Sequence, residues 1–507
     1  METLEERPQR HYKTSAILYA SGVSFGAASY GFASSIISTT IGQPTFLESM
    51  KLERASNASE ILGASNALFF VGGIIGSVLV SVIADRYGRR PAIAIGATMI
   101  LFSSALAAAS QHIAMFIIFR FINGIGGYMA LTTVPLWITE SVPPKDRGIL
   151  SDINPIFNNI GYNAASWVGV GFFFYKGSNA WRGPLAIGCL FPILCLVSLW
   201  FVPESPRYLL SKDRAEEAWK IVRSLHTRNG DESFARREFQ QMQSQIAFDR
   251  ALNVGWLGML RRPSYRKRAL MAFFLVFILV SSGILVVGNY GTIIYSQLGY
   301  GTEAQLFLQA GFLGTAFVSN ILAVLVVDRM PRPTLICLGL VGCMASLTCE
   351  AALVATYVNS ENKSGLSACV AMLYLYVFCY GLLLDGVTWW YASEIFPTHL
   401  RAHGMSIAMG TYALVNIIWL QAAPTAFENI GWKYYLFFIV ITTIGAVIIW
   451  STFPDTLNLS LEEVARLFGD DDLVEAYELH SGTAEENKKH ELIAKVQGIS
   501  LHKRCTN

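Results

Sequence analysis

The chain has 507 residues, of which 53% are hydrophobic and 15% charged, whereas soluble domains carry about 25% charged residues. Its 38 Lys and Arg against 36 Asp and Glu leave a net charge of +2, which points away from a nucleic-acid partner. The apolar residues gather in stretches of about 20, enough to cross about 30 Å of hydrocarbon as helix, so the composition describes a membrane protein.

Taken in chain order, twelve such stretches are predicted, at 15–37, 61–83, 91–110, 113–139, 149–174, 183–202, 268–290, 304–327, 333–358, 367–391, 403–424 and 434–452. The tail 1–13 mixes Glu and Arg, and the apolar run after it is too long for a cleaved signal peptide. It reads as a retained signal anchor. Six stretches form a first bundle over 14–202 and six a second over 268–452; a polar linker over 203–267 and a tail over 453–507 complete the chain. Loop arginine and lysine concentrate at 85–90, 145–147, 328–332 and 399–403. That bias places those loops and both termini in the cytoplasm.

The second stretch runs into Asp85-Arg86-Tyr87-Gly88-Arg89-Arg90. A plain membrane anchor needs arginine but neither the aspartate nor the glycine. Asp85 can pair with a cation, Gly88 permits a tight reversal, and Arg89 and Arg90 can reach carboxylates or lipid phosphate. A degenerate copy, Asp328-Arg329-Met330-Pro331-Arg332, stands between the eighth and ninth stretches, the equivalent place in the second bundle. Such duplication fits folds in which two pseudo-symmetric halves enclose a midplane site and rock about it.

Further motifs narrow the family. They are Arg120-x3-Gly124-x-Gly126-Gly127 leading to Glu140 and Arg147, Pro203-Glu204-Ser205-Pro206-Arg207, Glu394-Ile395-Phe396-Pro397 with Arg401, and Pro454-Asp455 followed by Glu462-Glu463. With the Asp-Arg motifs they resemble the sugar porter family of the major facilitator superfamily, from about residue 15 to 465. The stretch from Gly161 to Phe174 is most similar to fungal members. The resemblance implies an all-α membrane protein, twelve transmembrane helices in two pseudo-symmetric six-helix bundles. It implies a secondary or facilitative transporter of a small organic solute, sugar or sugar-like, working by alternating access.

Asp85, Arg86, Arg89, Arg90, Glu140, Arg147, Glu204 and Arg207 in the first half, with Asp328, Arg329, Glu394, Arg401 and Asp455 in the second, fall at predicted cytoplasmic helix ends. Carboxylates and guanidiniums there can form bidentate pairs that link the halves while the inner gate is shut. Membrane-interface anchoring is the plainer alternative.

The family's seventh span carries Gln-Gln-x-x-Gly-Ile-Asn, whose amides bind sugar hydroxyls; here it reads Leu279-Val280-Ser281-Ser282-Gly283-Ile284-Leu285, so both glutamines and the asparagine are gone. Pro155, Ala316 and Tyr412 also stand where amides are expected. Candidate replacements are Asn158, Asn159, Tyr162, Asn289, Tyr290, Gln309 and Asn416, each equally explained as interhelical packing, and Trp389 is the candidate for stacking on a solute. The proton-linked members carry an aspartate in the first span, where this chain has Ala33, which tilts the reading toward facilitated diffusion. Asp385, about one turn before Trp389, stays open as a proton site, a partner for a cationic solute or a packing feature.

Two sequons, Asn57 and Asn362, lie in loops predicted outside the cell and are candidate glycosylation sites. Seven of eight cysteines lie within predicted spans and read as reduced thiols. No cofactor or metal is implied. The expected partners are a small-molecule substrate, membrane lipid and protons, the expected state a monomer in the plasma membrane. A non-sugar metabolite is the close alternative and a transport-silent nutrient sensor the more distant one. An enzyme is least favoured, because no nucleophile–base pair or phosphate-cradling loop is present.

Overall fold

The computed structural model describes residues 13–41, 43–53, 57–142, 150, 153–175, 177, 179–227, 232–252, 256–358, 360, 362–457, 459 and 461–470. Arg147 and Asp152 fall outside them, as does the side chain of Asp328.

Twelve helical stretches follow one another. In the first half they are α1 (Thr14–Ile41), α2 (Ala58–Tyr87), α3 (Arg89–Ala108), α4 (Ile113–Ser141), α5 (Ile153–Phe173) and α6 in two pieces (Arg182–Ile187 and Leu190–Leu199). In the second they are α7 in two pieces (Pro263–Val280 and Ile284–Gln297), α8 (Thr302–Val326), α9 (Arg332–Tyr357), α10 in two pieces (Lys363–Leu383 and Asp385–Glu394), α11 (Thr398–Asn429) and α12 (Tyr434–Thr452). Ten of these stretches, all but α1 and α5, are apolar and long enough to cross a bilayer by length and composition. Leu18, Val78, Phe102, Trp200, Leu325 and Trp450 turn outward, as lipid-facing side chains do.

Within the first half α1 packs on α5, α4 and α6, and α2 and α3 pack on α4. Within the second α7 packs on α11, α8 on α10, and α9 on α10 and α12. Small residues allow this closeness. A Cβ at Gly31 of α1 would run into the Asn158 backbone of α5, and one at Gly161 of α5 into that of Ala28. Across the halves α2 meets α11, α5 meets α8, and α1 meets the outer piece of α7. The first two contacts exchange under a shift of six helices, which is the duplication legible in the sequence.

The ends differ. At the end away from the loop arginines the halves close: Thr292 Oγ1 donates to Ser38 O (3.4 Å) and Asn66 Nδ2 to Tyr290 OH (2.9 Å). Among the described residues, α4 and α10 have no comparable packing at the arginine end.

The break in α7 falls at Ser281–Gly283, where Gly283 has φ +92°. The linker forms short helices, among them Ala215–His226 with Ala218, Val222, Leu225 and His226 buried. A further helix, Leu461–Leu467, follows α12 and leads to Asp470, which is buried between Arg262 (2.8 Å) and Arg268 (2.7 Å). The seven cysteines among the described residues are free thiols.

Candidate functional site

At the arginine end the two Asp-Arg motifs build matching arrays. Arg89 donates from Nε and Nη2 to the two oxygens of Glu140, both at 2.9 Å, and from Nη1 to Ala84 O. Its backbone N–H meets Glu204 Oε1 at 3.0 Å. In the second half Arg332 Nη2 reaches Glu394 Oε1 at 3.4 Å, its Nη1 donates to Val327 O, and its N–H meets Asp455 Oδ1 at 3.0 Å. The hydroxyls of Ser205 and Thr456 complete Glu140 and Glu394 respectively. Trp137 Nε1 donates to Pro203 O where Tyr391 OH donates to Pro454 O. Each helix start after the motif thus presents backbone N–H groups to a carboxylate, the favourable polarity at a helix N-terminus. Burial pushes the Glu204 carboxyl above its ordinary value, against the lowering effect of the Ser205, Arg90 and Arg89 N–H groups.

Asp85 lies 3.3 Å from Arg89 with its side chain 75% exposed. The Arg86 guanidinium lies over the Tyr87 ring, and its carbonyl accepts from Tyr208 OH. Arg90 contributes its N–H to Glu204. Arg207 is half-buried, Arg329 is exposed, and Arg401 Nε donates to Ser393 O. The pairs described above all join residues of one half; pairs linking the halves, expected while the inner gate is shut, are not among them. The physical reason is local: each carboxylate comes from the end of a helix packed on the arginine's own helix start. Arg332 is the counterpart of Arg89, as the register of the two motifs has it, with Pro331 and Pro333 in place of Gly88 and Arg90.

A cavity of about 660 Å³ lies beside the first array, lined by Tyr87, Arg90, Leu196, Trp200, Glu204 and Arg214 among others. Its walls belong to the end of α2, α3, α6 and the linker, one half alone, so relative motion of the halves could not pass a solute through it.

The interior between the halves is aromatic. Phe69, Tyr30, Tyr128, Tyr412 and Trp389 form a chain of ring contacts from the first half into the second, with centroid distances of 6.0, 5.4, 6.4 and 5.6 Å in turn. The Tyr30 hydroxyl has those of Tyr128, Tyr162, Tyr412 and Ser34 as polar neighbours. Asp385, the first residue of the second piece of α10, lies near Asn320, whose Nδ2 donates to Ala316 O, and near the phenols of Tyr162 and Tyr380. Tyr162, Asp385, Trp389 and Tyr412 are partly uncovered although they lie deep in the fold, as residues lining an internal cavity are.

The amides behave differently from these. Asn289 Nδ2 donates to Leu285 O, Asn416 Nδ2 to Tyr412 O and Asn159 Nδ2 to Pro155 O, each one turn back in its own helix. Gln309 Nε2 donates to Gly288 O, tying α8 to α7. Tyr290 OH donates to Leu420 O. Asn163 Nδ2 reaches Leu313 O across the halves. Asn158 Oδ1 is buried without a hydrogen-bond partner among the described residues. Ser281 accepts from Trp419 Nε1 and Ser282 donates to Leu279 O, and the family's glutamine positions are taken by the buried Leu279 and Val280. The structure therefore brings Tyr162, Asp385, Trp389 and Asn158 to the interior, while Gln309 and Tyr290 tie neighbouring helices together and Asn289, Asn416 and Asn159 bond within their own helices. Tyr30, Tyr128 and Asn320 were not legible as site residues, since single tyrosines on apolar helices carry no periodic signal.

The comparisons agree with this geometry. The profile of the sugar (and other) transporter family matches residues 20–468. An MFS-type transporter, criB, of Aspergillus cristatus is 31% identical, covering 90% of this chain and 93% of its own. The arabinose-proton symporter of Bacillus subtilis is 29% identical, covering 89% and 95%. Among solved structures, the proton:xylose symporter XylE bound to 6-bromo-6-deoxy-D-glucose superposes with a TM-score of 0.77 at 23% identity, covering 90% of this chain and all of that one. The inward-open xylose transporter from E. coli gives 0.71. The chain belongs to the sugar (and other) transporter family: it is a multi-pass membrane transporter with the twelve-helix major facilitator fold, not an enzyme.

Proposed function

We propose that the protein carries a small organic solute, sugar or sugar-like, across the membrane by alternating access. The solute sits between the halves beside Tyr162, Asp385, Trp389 and Tyr412. One observation carries the reading: contact between the halves is closed at the α1–α7 end, while the symmetric α2–α11 and α5–α8 pairs run between them. Those two pairs can slide while the ends open in turn, the motion expected of twin bundles around a fixed site. The arginine end is cytoplasmic by the positive-inside bias, which puts both termini inside, and the carrier works as a monomer in the plasma membrane. Asn57 and Asn362 then face outward and take glycans, detectable as a band shift on peptide N-glycosidase treatment.

The relatives named for arabinose and glucose support the sugar class. Counterflow of labelled D-glucose and L-arabinose in proteoliposomes tests it. Saturable exchange weakened by Trp389→Ala supports the reading, and exchange no faster than in empty liposomes for either sugar counts against it.

Proton-linked transport is a second reading, favoured by Asp385, which offers the interior a carboxyl that Ala33 cannot. An undiminished pH response of uptake in Asp385→Asn would remove it.

A further inference from the structure

Glu350 of α9 is fully buried, about two turns or about 10 Å inside the Tyr357 end of its helix, away from the arginines. Neither carboxyl oxygen has a hydrogen-bond partner among the described residues. The titratable groups around it there are the phenols of Tyr295 on the outer piece of α7 and Tyr435 on α12, and the thiol of Cys369 on α10. No arginine or lysine is among them, and Lys433, just before α12, turns outward. A carboxylate held there would have neither water nor a counter-ion, and such a group is neutralised rather than left charged.

A recess leads toward it. A small cavity of about 10 Å³, close to the least that holds one water, lies between Gln297 and Leu298 of α7, Val354 of α9, and Trp432 and Tyr435 at the approach to α12. Gln297 is exposed and Trp432 half-buried at its rim, and the buried Val354 and Tyr435 form its floor. Val354 is one turn outward of Glu350 on the same face of α9, and Tyr435 is one of the two phenols beside the carboxyl. The walls belong to two bodies. α9 packs on α10 and α12, whereas Tyr295 rides on the outer piece of α7, beyond the break at Gly283. That same piece carries Thr292 and Tyr290, whose contacts with Ser38 and Asn66 close this end between the halves. Closure of the end and the covering of Glu350 by Tyr295 therefore share one element.

We propose that Glu350 binds a proton from the medium at the end away from the arginines, and that its protonated form holds that end shut. On closing, the carboxylate takes a proton from water in the recess, forming one O–H bond and losing its charge; on opening it returns the proton to the same water. This rests on alternating access. It adds a proton site apart from Asp385, which stands about 24 Å along α10 from Cys369.

A water-exposed glutamate releases its proton above about pH 4.3, so the open form binds fewer protons than the closed one. The closed-to-open ratio then falls as pH rises, by up to about tenfold per unit. Electron–electron distances between labels at Lys51→Cys and Lys363→Cys, both exposed at this end and clear of the recess, report that ratio. They are measured on full-length protein in lipid nanodiscs, with native cysteines replaced, between about pH 5 and about pH 8. The parent is expected to lose the closed form as pH rises, and Glu350→Gln, uncharged throughout, to stay mostly closed with a flat response. Glu350→Leu takes its place should the amide not fold, because an apolar side chain suits the site. Infrared spectra at about pH 6, above the range of ordinary carboxyls, should show a protonated-carboxyl band that weakens in Glu350→Gln. Two populations whose ratio ignores pH in the parent overturn the inference and leave alternating access standing. A slope that survives replacement of Glu350, or a carboxyl band undiminished by it, does the same. One fixed distance at every pH removes both.

Discussion

The two arrays at the arginine end are related by pseudo-symmetry but are not equal, and their difference is measurable. Arg89 and Glu140 share two bonds of 2.9 Å, and their side chains are 13% and 11% exposed. Arg332 and Glu394 share one contact of 3.4 Å, with Glu394 33% exposed. Exposed ion pairs contribute about 0–1 kcal/mol, whereas removing one partner of a buried pair costs about 3–5 kcal/mol. The first array stands between those limits, because Arg89 keeps Ala84 O and Asp85 when Glu140 is lost. A coupling of about 2 kcal/mol is expected for Arg89–Glu140, and below about 1 kcal/mol for Arg332–Glu394. Double-mutant cycles to alanine, read from reversible denaturation of the purified protein, give both numbers. Equal couplings, or a value near zero for Arg89–Glu140, would refute the argument from geometry and burial.

Three further outcomes follow from named contacts. Asp470→Asn leaves Arg268 buried beside a neutral group and should cost about 3 kcal/mol, seen as a lower melting temperature and earlier proteolysis after α12; unchanged protection would count against it. Gly283→Ala places a Cβ 2.8 Å from the Phe438 ring at φ +92°, and should cost at least about 1 kcal/mol in melting experiments. His226 is buried with Nε2 3.1 Å from Ser141 O, and burial holds its imidazole below the ordinary 6.5, opposed by that bond. The unfolded linker takes a proton that the folded one refuses, so docking is intact above about pH 6.5 and weakens as pH falls below it. Hydrogen exchange in Ala215–His226 should quicken on acidification, and His226→Gln should flatten that response.

The architecture was legible because its signals are long or repeated: twelve apolar stretches, and an Asp-Arg motif met twice. Breaks within helices were less so. The stretch read as 268–290 runs from Pro263 to Gln297 and is interrupted at Ser281–Gly283, since two serines and a glycine fit an unbroken membrane helix as well. The amides left two readings open for a definite reason. Asn289 and Asn416 look like solute contacts in sequence, yet each bonds the carbonyl four residues back, and nothing in residue type tells that choice from an inward-facing one.

Alternating access itself is tested most directly by electron–electron distances in two doubly spin-labelled proteins with native cysteines replaced. One carries labels at Lys51→Cys and Lys433→Cys, exposed at the end away from the arginines; the other at Lys212→Cys and Arg329→Cys, exposed at the arginine end. Two populations are predicted, with one end lengthening as the other shortens when conditions shift the balance. A single distance at each end, fixed under every condition, or ends that open together, would contradict the rocking of two halves about a central solute.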